Sequence, residues 1–290
     1  MRILVPAMCQ QGQVFSAYWL STIECLKQSQ NYNAEAYRRI DQEMASKIIS
    51  QIPGFDSKNP EHIKLLADSR NLPQNIQAFQ QAYHQNSIEL SFYAIGGESL
   101  LARGRNHCAA VALKEGYDKI FFIDCDQGWT WNDFLKLATS PYPVAAGVVP
   151  LKAYVDSPRS FETSLNFLPF LEDEIFFDDS LRTLKSTLRM ARAKKSEWIK
   201  VAFIGTGFVC VDTSVFARLA ETCEEYIYPD PRSGTPEVHW SFFDGGPLNN
   251  TYLSEDWSWA SKCREQLGLD LMVNVNVRAN HTGPHQFVAG

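Results

Sequence analysis

The sequence predicts an α/β fold in which a mixed, mostly parallel central sheet is flanked by helices. Strand-like and helix-like hydrophobic patterns alternate along most of the chain. The apolar run at residues 119–123 is continuous, as expected of a parallel strand that is buried on both faces. The 290 residues are 45% apolar and 21% charged, a composition that can bury a sizeable core. We therefore expect a single domain over residues 1–290.

In the first half of the chain, residues 3–7 predict a strand, and a loop and a helical pattern follow it. The composition then shifts to Gln, Asn, Lys and Glu, with prolines between them, which predicts a helical insertion at about residues 31–86. A strand at 88–94 precedes a helix that Ser99 can cap and Gly116 can end.

The second half continues the alternation of strands and helices. Thr130 is a candidate cap for a short helix, and Gly268 is expected to end a longer one that starts at residue 254. The Pro- and Gly-rich stretch at 228–248 predicts a flexible segment that could close over a substrate. Strands are predicted at residues 119–124, 144–149, 199–204, 208–211 and 269–277.

Charge and cysteine content narrow the function classes. The formal net charge of −6 argues against a protein whose main task is to grip a nucleic-acid backbone. Seven cysteines, an odd number without paired metal-type spacing, favour a reduced, intracellular chain. No stretch approaches the roughly 20 apolar residues of a membrane span, so we expect a soluble, cytoplasmic protein.

Two carboxylates follow the apolar strand directly. Asp124 and Asp126 lie one residue apart at its carboxyl end, and open α/β sheets bind ligands at that edge. Because the chain can turn after the strand, the two side chains can converge on one ligand or divide a metal and a sugar hydroxyl between them. A polar turn without a ligand is the alternative interpretation.

Four motifs fall in one order along the chain. They are Asp124-Cys125-Asp126 after a strand, Gly205-Thr206-Gly207-Phe208 between strands, Glu255-Asp256-Trp257 opening a helix, and Asn280-His281-Thr282-Gly283 after the last strand. This order resembles the metal-dependent GT-A glycosyltransferases, and residues 98–106 resemble the helix before the Asp-x-Asp strand in viral and bacterial members. Residues 31–86 have no counterpart in that core, and the Gly-Gly-Glu-Ser segment at 96–99 is only loosely similar.

The resemblance implies a Rossmann-like GT-A domain over residues 1–290 with hexosyl- or pentosyltransferase activity. Such an enzyme moves a sugar from a nucleotide-diphosphate sugar to an acceptor hydroxyl and uses Mn²⁺ or Mg²⁺. The acceptor stays open between a polysaccharide, a protein, a lipid-linked sugar and a modified nucleic-acid base.

A carboxylate and an imidazole from opposite ends of the sequence form the expected cation site. Asp126 and His281 are the predicted metal ligands, because a divalent cation can neutralise the departing diphosphate. By the family pattern, Asp124 accepts hydrogen bonds from ribose or reaches the metal through water. His285 is the rival ligand if the register of the last loop differs.

The Glu-Asp motif supplies the predicted acid–base chemistry. Asp256 is the expected general base if the reaction inverts, and Glu255 would bind sugar hydroxyls, although the two roles could be exchanged. Trp257 is a candidate for stacking on the sugar or the base. Gly205 and Gly207 would let the backbone approach a sugar or phosphate closely, or they form an ordinary hairpin turn.

Further donor contacts are predicted on three elements. Arg105 could offer a charge-assisted fork to the diphosphate, and Lys152, just beyond a strand, is a second candidate phosphate contact. Pro6 and Ala7, at the end of the first strand, are expected to receive the nucleotide base through main-chain contacts.

Two other functions stay open on the sequence. A nucleotidyltransferase that acts on a sugar phosphate would use the same acids, but the loop at 9–13 lacks the basic residues typical of that class. A non-catalytic sugar-nucleotide-binding module would keep the fold, but it would be expected to lack one of the acids or the histidine.

Overall fold

A computed structural model describes residues 1–9, 16–96, 100–154, 163–165, 167–171, 174–175, 184–230, 233–248, 250–282 and 286–287. The chain divides into two compact units. One consists of Met1 with Leu26–Leu90, and the other of Arg2–Cys25 with Ser91–Gly290. The prediction of one domain that carries an insertion stays a prediction beside this division.

The described residues contain eight helices: α1 (Ser16–Ile49), α2 (Pro60–Arg70), α3 (Pro73–Asn86), α4 (Leu101–Lys114), α5 (Trp131–Ala138), α6 (Leu184–Ala193), α7 (Thr213–Ala220) and α8 (Glu255–Glu265). Their strands are β1 (Arg2–Cys9), β2 (Glu89–Gly96), β3 (Lys119–Asp124), β4 (Gln127–Gly128), β5 (Val144–Val148), β6 (Pro150–Tyr154), β7 (Thr163–Leu165), β8 (Phe167–Leu171), β9 (Glu174–Ile175), β10 (Trp198–Ile204), β11 (Phe208–Asp212), β12 (Glu225–Pro229), β13 (Pro236–Trp240), β14 (Gly246–Leu248), β15 (Thr251–Leu253), β16 (Leu271–Arg278), β17 (Asn280–Thr282) and β18 (Gln286–Phe287).

The smaller unit is built from helices, as predicted for residues 31–86. The ring of Tyr37 packs edge-on against Phe79, with 4.9 Å between ring centroids. The side-chain amide of Asn33 donates to the Ile88 carbonyl at 2.7 Å, and its oxygen accepts the Ile88 amide at 2.8 Å. Aromatic packing and this amide pair therefore hold the unit together.

The larger unit is organised around a nine-stranded sheet of order β2-β1-β3-β11-β5-β16-β10-β8-β9. Strands β1 and β3 are parallel, as are β5 and β16. The β3–β11, β11–β5, β16–β10, β10–β8 and β8–β9 pairs are antiparallel. The α/β class with a mixed sheet is therefore confirmed, but the predicted predominance of parallel pairing is wrong, because five of these seven pairings are antiparallel.

Strand β3 lies inside this sheet and explains the unbroken apolar run. Residues Ile120, Phe121, Phe122 and Ile123 are all buried, between β1 on one side and β11 on the other. Since both faces of the strand are covered, every position is apolar. The run ends at Asp124, at the carboxyl end of the strand.

Strands β10 and β11 do not form the hairpin that was one interpretation of Gly205-Thr206-Gly207. β10 is antiparallel to β16 and β11 is antiparallel to β5, while β16 and β5 are parallel. β10 and β11 therefore run in the same direction, with β5 and β16 between them in the sheet. The glycine segment is a crossing between sheet positions, not a hairpin turn.

Predicted helix ends agree with the structure where residues are described. The Thr130 hydroxyl accepts the Asp133 amide at 3.2 Å and caps α5. Gly116 and Gly268 follow α4 and α8 with φ of 69° and 65°, the left-handed conformation that suits glycine after a helix. Ser99, the predicted cap of α4, lies outside the described residues.

The stretch at 228–248, predicted as a flexible segment, contributes to two hairpins. Strands β12 and β13 pair antiparallel, with Tyr226 opposite His239, and β14 pairs with β15. Alternating apolar and aromatic residues, such as Tyr226, Ile227 and Tyr228, favour strands. Pro229 and Pro236 lie at strand ends, and the predicted flexibility of the stretch stays a prediction.

A buried histidine pair joins α4 to this hairpin. His107 Nδ1 lies 3.3 Å from His239 Nε2, and the Tyr93 hydroxyl lies 2.8 Å from His107 Nε2. Both rings are fully buried. Burial, and secondarily the neighbouring His107, lowers the pKa of His239 from 6.5 to about 4.

The six cysteines whose side chains are described form no disulfide. Cys25, Cys108, Cys210 and Cys263 are buried. Burial raises the pKa of Cys25 and Cys210 to about 12, and raises those of Cys108 and Cys263 further still. These thiols act as small apolar core residues.

Among the described helices, none combines the length and the apolar content needed to cross a lipid bilayer.

The depressed pKa of His239 predicts a pH dependence of stability. Between pH 6.5 and about 4, the unfolded chain binds a proton at this site and the folded chain does not, so the free energy of unfolding should fall as the pH is lowered through this window. The loss at the acid end is up to about 3 kcal/mol. Urea denaturation at pH 7, 6, 5 and 4 measures it.

The matched variants are His239→Gln and His84→Gln, since His84 is exposed. The first should flatten the profile over this window, and the second should keep the wild-type slope. Equal slopes in the wild type and His239→Gln would contradict a neutral, buried His239.

Candidate functional site

The end of β3 is held against the glycine crossing. The Asp124 amide donates to the Gly207 carbonyl at 2.9 Å. A Cβ atom on Gly207 would lie 2.8 Å from Asp124 Oδ2, and it would also clash with the Gln127 side-chain amide. A side chain at residue 207 would therefore force the ends of these two polar side chains to shift, which favours glycine at this position.

The last described strands bring His281 next to the Asp-x-Asp segment. β17 pairs antiparallel with β4, with His281 opposite Gln127, and the Thr282 amide donates to the Asp126 carbonyl at 2.8 Å. His281 Nε2 consequently lies 3.4 Å from Asp126 Oδ1. The two predicted ligands, 155 positions apart in sequence, meet at the edge of the fold.

The other nitrogen of His281 has a defined partner. Nδ1 lies 2.8 Å from the Pro150 carbonyl oxygen, at the start of β6. Since a carbonyl only accepts, Nδ1 carries a proton in this bond. In the neutral ring Nε2 then carries a lone pair that faces the Asp126 carboxylate. Two acceptors repel each other, so this arrangement favours a proton or a cation between the two atoms.

This donor set fits a divalent cation. A ligating histidine typically donates its second ring N–H to a carbonyl or carboxylate, as His281 does to Pro150. One carboxylate and one imidazole would leave the further positions of a six-coordinate cation for phosphate oxygens and water. Over the described part of the chain, no group of three or more His, Cys, Asp or Glu gathers around one point. Asp126 and His281 therefore form a pair without a third such side chain, and a cation there would need further ligands from a bound molecule or water.

Asp124 is instead bound to Arg105. Nη2 of Arg105 lies 3.3 Å from Asp124 Oδ1, and Nη1 lies 2.9 Å from Glu255 Oε1. The arginine side chain is only 3% exposed, whereas the two carboxylates are about one-third exposed. Arg105 therefore joins β3 to α8 and balances two of the acids at this edge. Its predicted contact with a diphosphate stays a prediction.

Glu255 and Asp256 open α8 in different environments. Glu255 is paired with Arg105. Asp256 accepts hydrogen bonds at Oδ1 from the Ser254 hydroxyl and from the Trp257 amide, the latter at 2.9 Å. Burial raises the pKa of Asp256 above its ordinary value, although these hydrogen bonds and the Arg105 charge oppose the shift. Of the two acids, Asp256 is the stronger candidate for a proton acceptor.

The other predicted contact residues occupy varied positions. Trp257 stacks on Phe203, with centroids 4.8 Å apart, so at least one face of its indole is covered by protein. Pro6 and Ala7 are buried within β1, and Ala7 pairs with Ile123. The strand continues to Cys9, so it ends two residues later than predicted and Met8, not Ala7, lies opposite Asp124.

Three predicted positions have less structural definition. Gly205 lies at the start of the crossing between β10 and β11. Lys152 lies on β6, but its side chain is outside the described residues. His285, the rival metal ligand, also lies outside them.

Sequence reasoning missed three residues that shape the site. They are Gln127, which is buried above Gly207, Pro150, whose carbonyl binds His281, and Ser254, which bonds Asp256. Only Ser254 had a local signal, because a serine two residues before an aspartate at a helix start can bond it. The other two depend on long-range pairing.

No protein-family model matches this chain, and no curated protein matches it. Among solved structures, the chain is similar to the crystal structure of A197 from STIV, with a TM-score of 0.43 and 13% sequence identity over 100% of this chain and 95% of that one. A similarity of this size carries no argument about function, so the chemistry rests on the residues themselves.

Gly207→Ala should destabilise the protein because the new methyl group meets the Asp124 carboxylate. The expected loss is about 1–3 kcal/mol, typical of overpacking, measured by urea denaturation. Gly246→Ala is the matched control, since a Cβ atom there meets nothing within 4 Å. A loss no larger than that of the control would contradict the close approach at Gly207.

Arg105→Met should cost about 2 kcal/mol, because it leaves two carboxylates without their shared cation. Arg105→Lys should recover only part of this loss, since an ammonium group cannot bridge both acids in the same way. Arg189→Met, on the exposed surface of α6, should change stability by no more than about 0.5 kcal/mol. Equal unfolding midpoints for Arg105→Met and Arg189→Met would argue against the bridge.

Proposed function

We propose that this chain is a metal-dependent glycosyltransferase of the GT-A type that uses a nucleotide-diphosphate sugar. The observation that carries the proposal is the meeting of Asp126 and His281, with Nε2 turned to the carboxylate and Nδ1 bonded to Pro150. The mixed α/β sheet and the acids at its edge support it as well.

Asp126 and His281 would hold Mn²⁺ or Mg²⁺ in this proposal. A bound divalent cation supplies positive charge that stabilises the leaving diphosphate. Beside that site, Asp124 keeps Oδ2 near Gly207, apart from the oxygen that Arg105 binds. A carboxylate oxygen there can accept hydrogen bonds from ribose or sugar hydroxyls.

The division of labour between Glu255 and Asp256 follows from their partners. The ion pair with Arg105 orients Glu255, which suits the binding of hydroxyl groups. Asp256, whose pKa is raised by burial, is the better general base because a base works best with a pKa closer to the operating pH. The acceptor hydroxyl would lose its proton to this residue as it attacks the anomeric carbon.

The acceptor is proposed only as a hydroxyl compound. A saccharide or another hydroxyl on a protein, lipid-linked sugar or modified nucleic-acid base would satisfy the same chemistry. Whether the donor carries a hexose or a pentose can be determined by screening UDP-, GDP-, ADP- and dTDP-sugars for nucleoside diphosphate release.

Asp126→Asn and His281→Gln should each weaken Mn²⁺ binding at least about tenfold and abolish Mn²⁺-dependent release of nucleoside diphosphate from a nucleotide sugar. Binding is measured by Mn²⁺ electron paramagnetic resonance, and release by chromatography of the nucleotide products. Asp270→Asn, at an exposed ion pair with Lys200, is the control and should behave as the wild type.

The products decide the reaction class. Nucleoside diphosphate supports sugar transfer, whereas pyrophosphate would assign the site to nucleotidyl transfer. Unchanged Mn²⁺ affinity in both Asp126→Asn and His281→Gln would overturn the metal assignment.

A further inference from the structure

The start of α8 breaks a local rule of helix capping. Ser254 is the N-cap residue and has the extended backbone of a cap, with φ −64° and ψ 170°, yet its side chain makes no capping hydrogen bond. A serine in this position ordinarily accepts a backbone N–H of the first turn. Its hydroxyl instead donates to Asp256 Oδ1. Ser254 thus bonds a carboxylate and not the helix backbone, and departures from local rules of this kind are typical of functional sites.

Both local donors bind the same oxygen of Asp256. The Trp257 amide donates to Oδ1 at 2.9 Å, and the Ser254 hydroxyl donates to Oδ1 as well. Two hydrogen bonds on one oxygen fix the rotation of a carboxylate group and leave the second oxygen for another partner.

We infer that Ser254 is a positioning residue that holds Asp256 through Oδ1, so that Oδ2 is the oxygen that receives the proton of the acceptor. This inference rests on the proposed function. In the transfer step the acceptor O–H bond breaks and its proton passes to Oδ2 while the acceptor oxygen bonds the anomeric carbon. The bond from that carbon to the phosphate oxygen breaks, and the nucleoside diphosphate leaves with the electron pair.

The charges around Asp256 make the role of Ser254 measurable. Burial and the neighbouring Glu255 raise the pKa of Asp256, whereas Ser254, Arg105 and the Trp257 amide lower it. The removal of the serine hydroxyl takes away one of the three groups that favour the ionised form. The loss of a hydrogen bond to the ionised carboxylate should raise the titration midpoint by about one pH unit.

The test compares Ser254→Ala, Ser254→Thr and Ser258→Ala with the wild type. Carbon-13 NMR of Asp-labelled protein, with the Asp256 signal assigned from Asp256→Asn, gives the titration midpoint of this one carboxyl group. Ser254→Ala should raise it by about one unit. Ser254→Thr restores the hydroxyl and Ser258→Ala removes a half-buried serine elsewhere on α8, so both should keep the wild-type midpoint.

Folding gives a second readout. Because Ser254 bonds the Asp256 carboxylate and does not cap the helix through its side chain, the stability lost in Ser254→Ala should be present where Asp256 is ionised and should largely disappear at a pH where Asp256 is protonated. An ordinary cap deletion lowers the unfolding midpoint in urea at both pH values. A wild-type titration midpoint in Ser254→Ala, together with the stability loss of a normal cap, would overturn the inference.

Activity separates this inference from the proposed function. In an active enzyme, the acid limb of the pH profile for nucleoside diphosphate release should move upward in Ser254→Ala together with the NMR midpoint. An unshifted limb and midpoint in an active enzyme overturn the role of Ser254 alone. A shifted midpoint without release from any nucleotide sugar overturns the proposed function, and with it the role of Oδ2 as proton acceptor.

Discussion

The buried guanidinium of Arg105 is the constraint around which this edge of the protein is arranged. A guanidinium that is 3% exposed is costly to bury without partners, and the partners come from two other elements, Asp124 of β3 and Glu255 of α8. The cost of burying the arginine therefore fixes where a strand and a helix meet. Asp256 inherits its position from that arrangement because it follows Glu255.

The edge has two sides with different chemistry. On one side, Asp126 and His281 face each other and favour a positive charge between them. On the other, Asp256 lies in a more desolvated setting that favours proton uptake. Asp124, two residues before Asp126, is joined through Arg105 to Glu255, the neighbour of Asp256, and the arginine balances two of these negative charges. The proposed sugar transfer would use both kinds of chemistry, charge stabilisation at the phosphates and a base at the acceptor.

The sequence predicted the parts of the fold that are determined locally. Gly116, Gly268 and Thr130 mark helix ends through backbone conformation and a cap, which depend on a few neighbouring residues. The unbroken apolar run of β3 predicted its burial. The position of β11 between two parallel pairs was not, because pairing order depends on residues distant in sequence.

The candidate site shows the same division. The acids and His281 were predicted from motif order, and Asp126 and His281 do meet. The carboxylates bound by Arg105 could not be read from its sequence position, since the ion pairs span 19 and 150 positions. The buried pair of His107 and His239 gave no sequence signal at all, because each histidine alone is compatible with an exposed side chain. Their burial follows from the β12–β13 hairpin, which the Pro and Gly residues obscured.

The buried thiols can report the local opening of the elements that carry them. Cys25, Cys108, Cys210 and Cys263 lie on α1, α4, β11 and α8, and each stays closed to an alkylating reagent while its own element remains packed. The order in which they become reactive would report which element opens first. The sheet and the helices that carry Arg105 and Asp256 can thus be followed separately, in the unaltered chain.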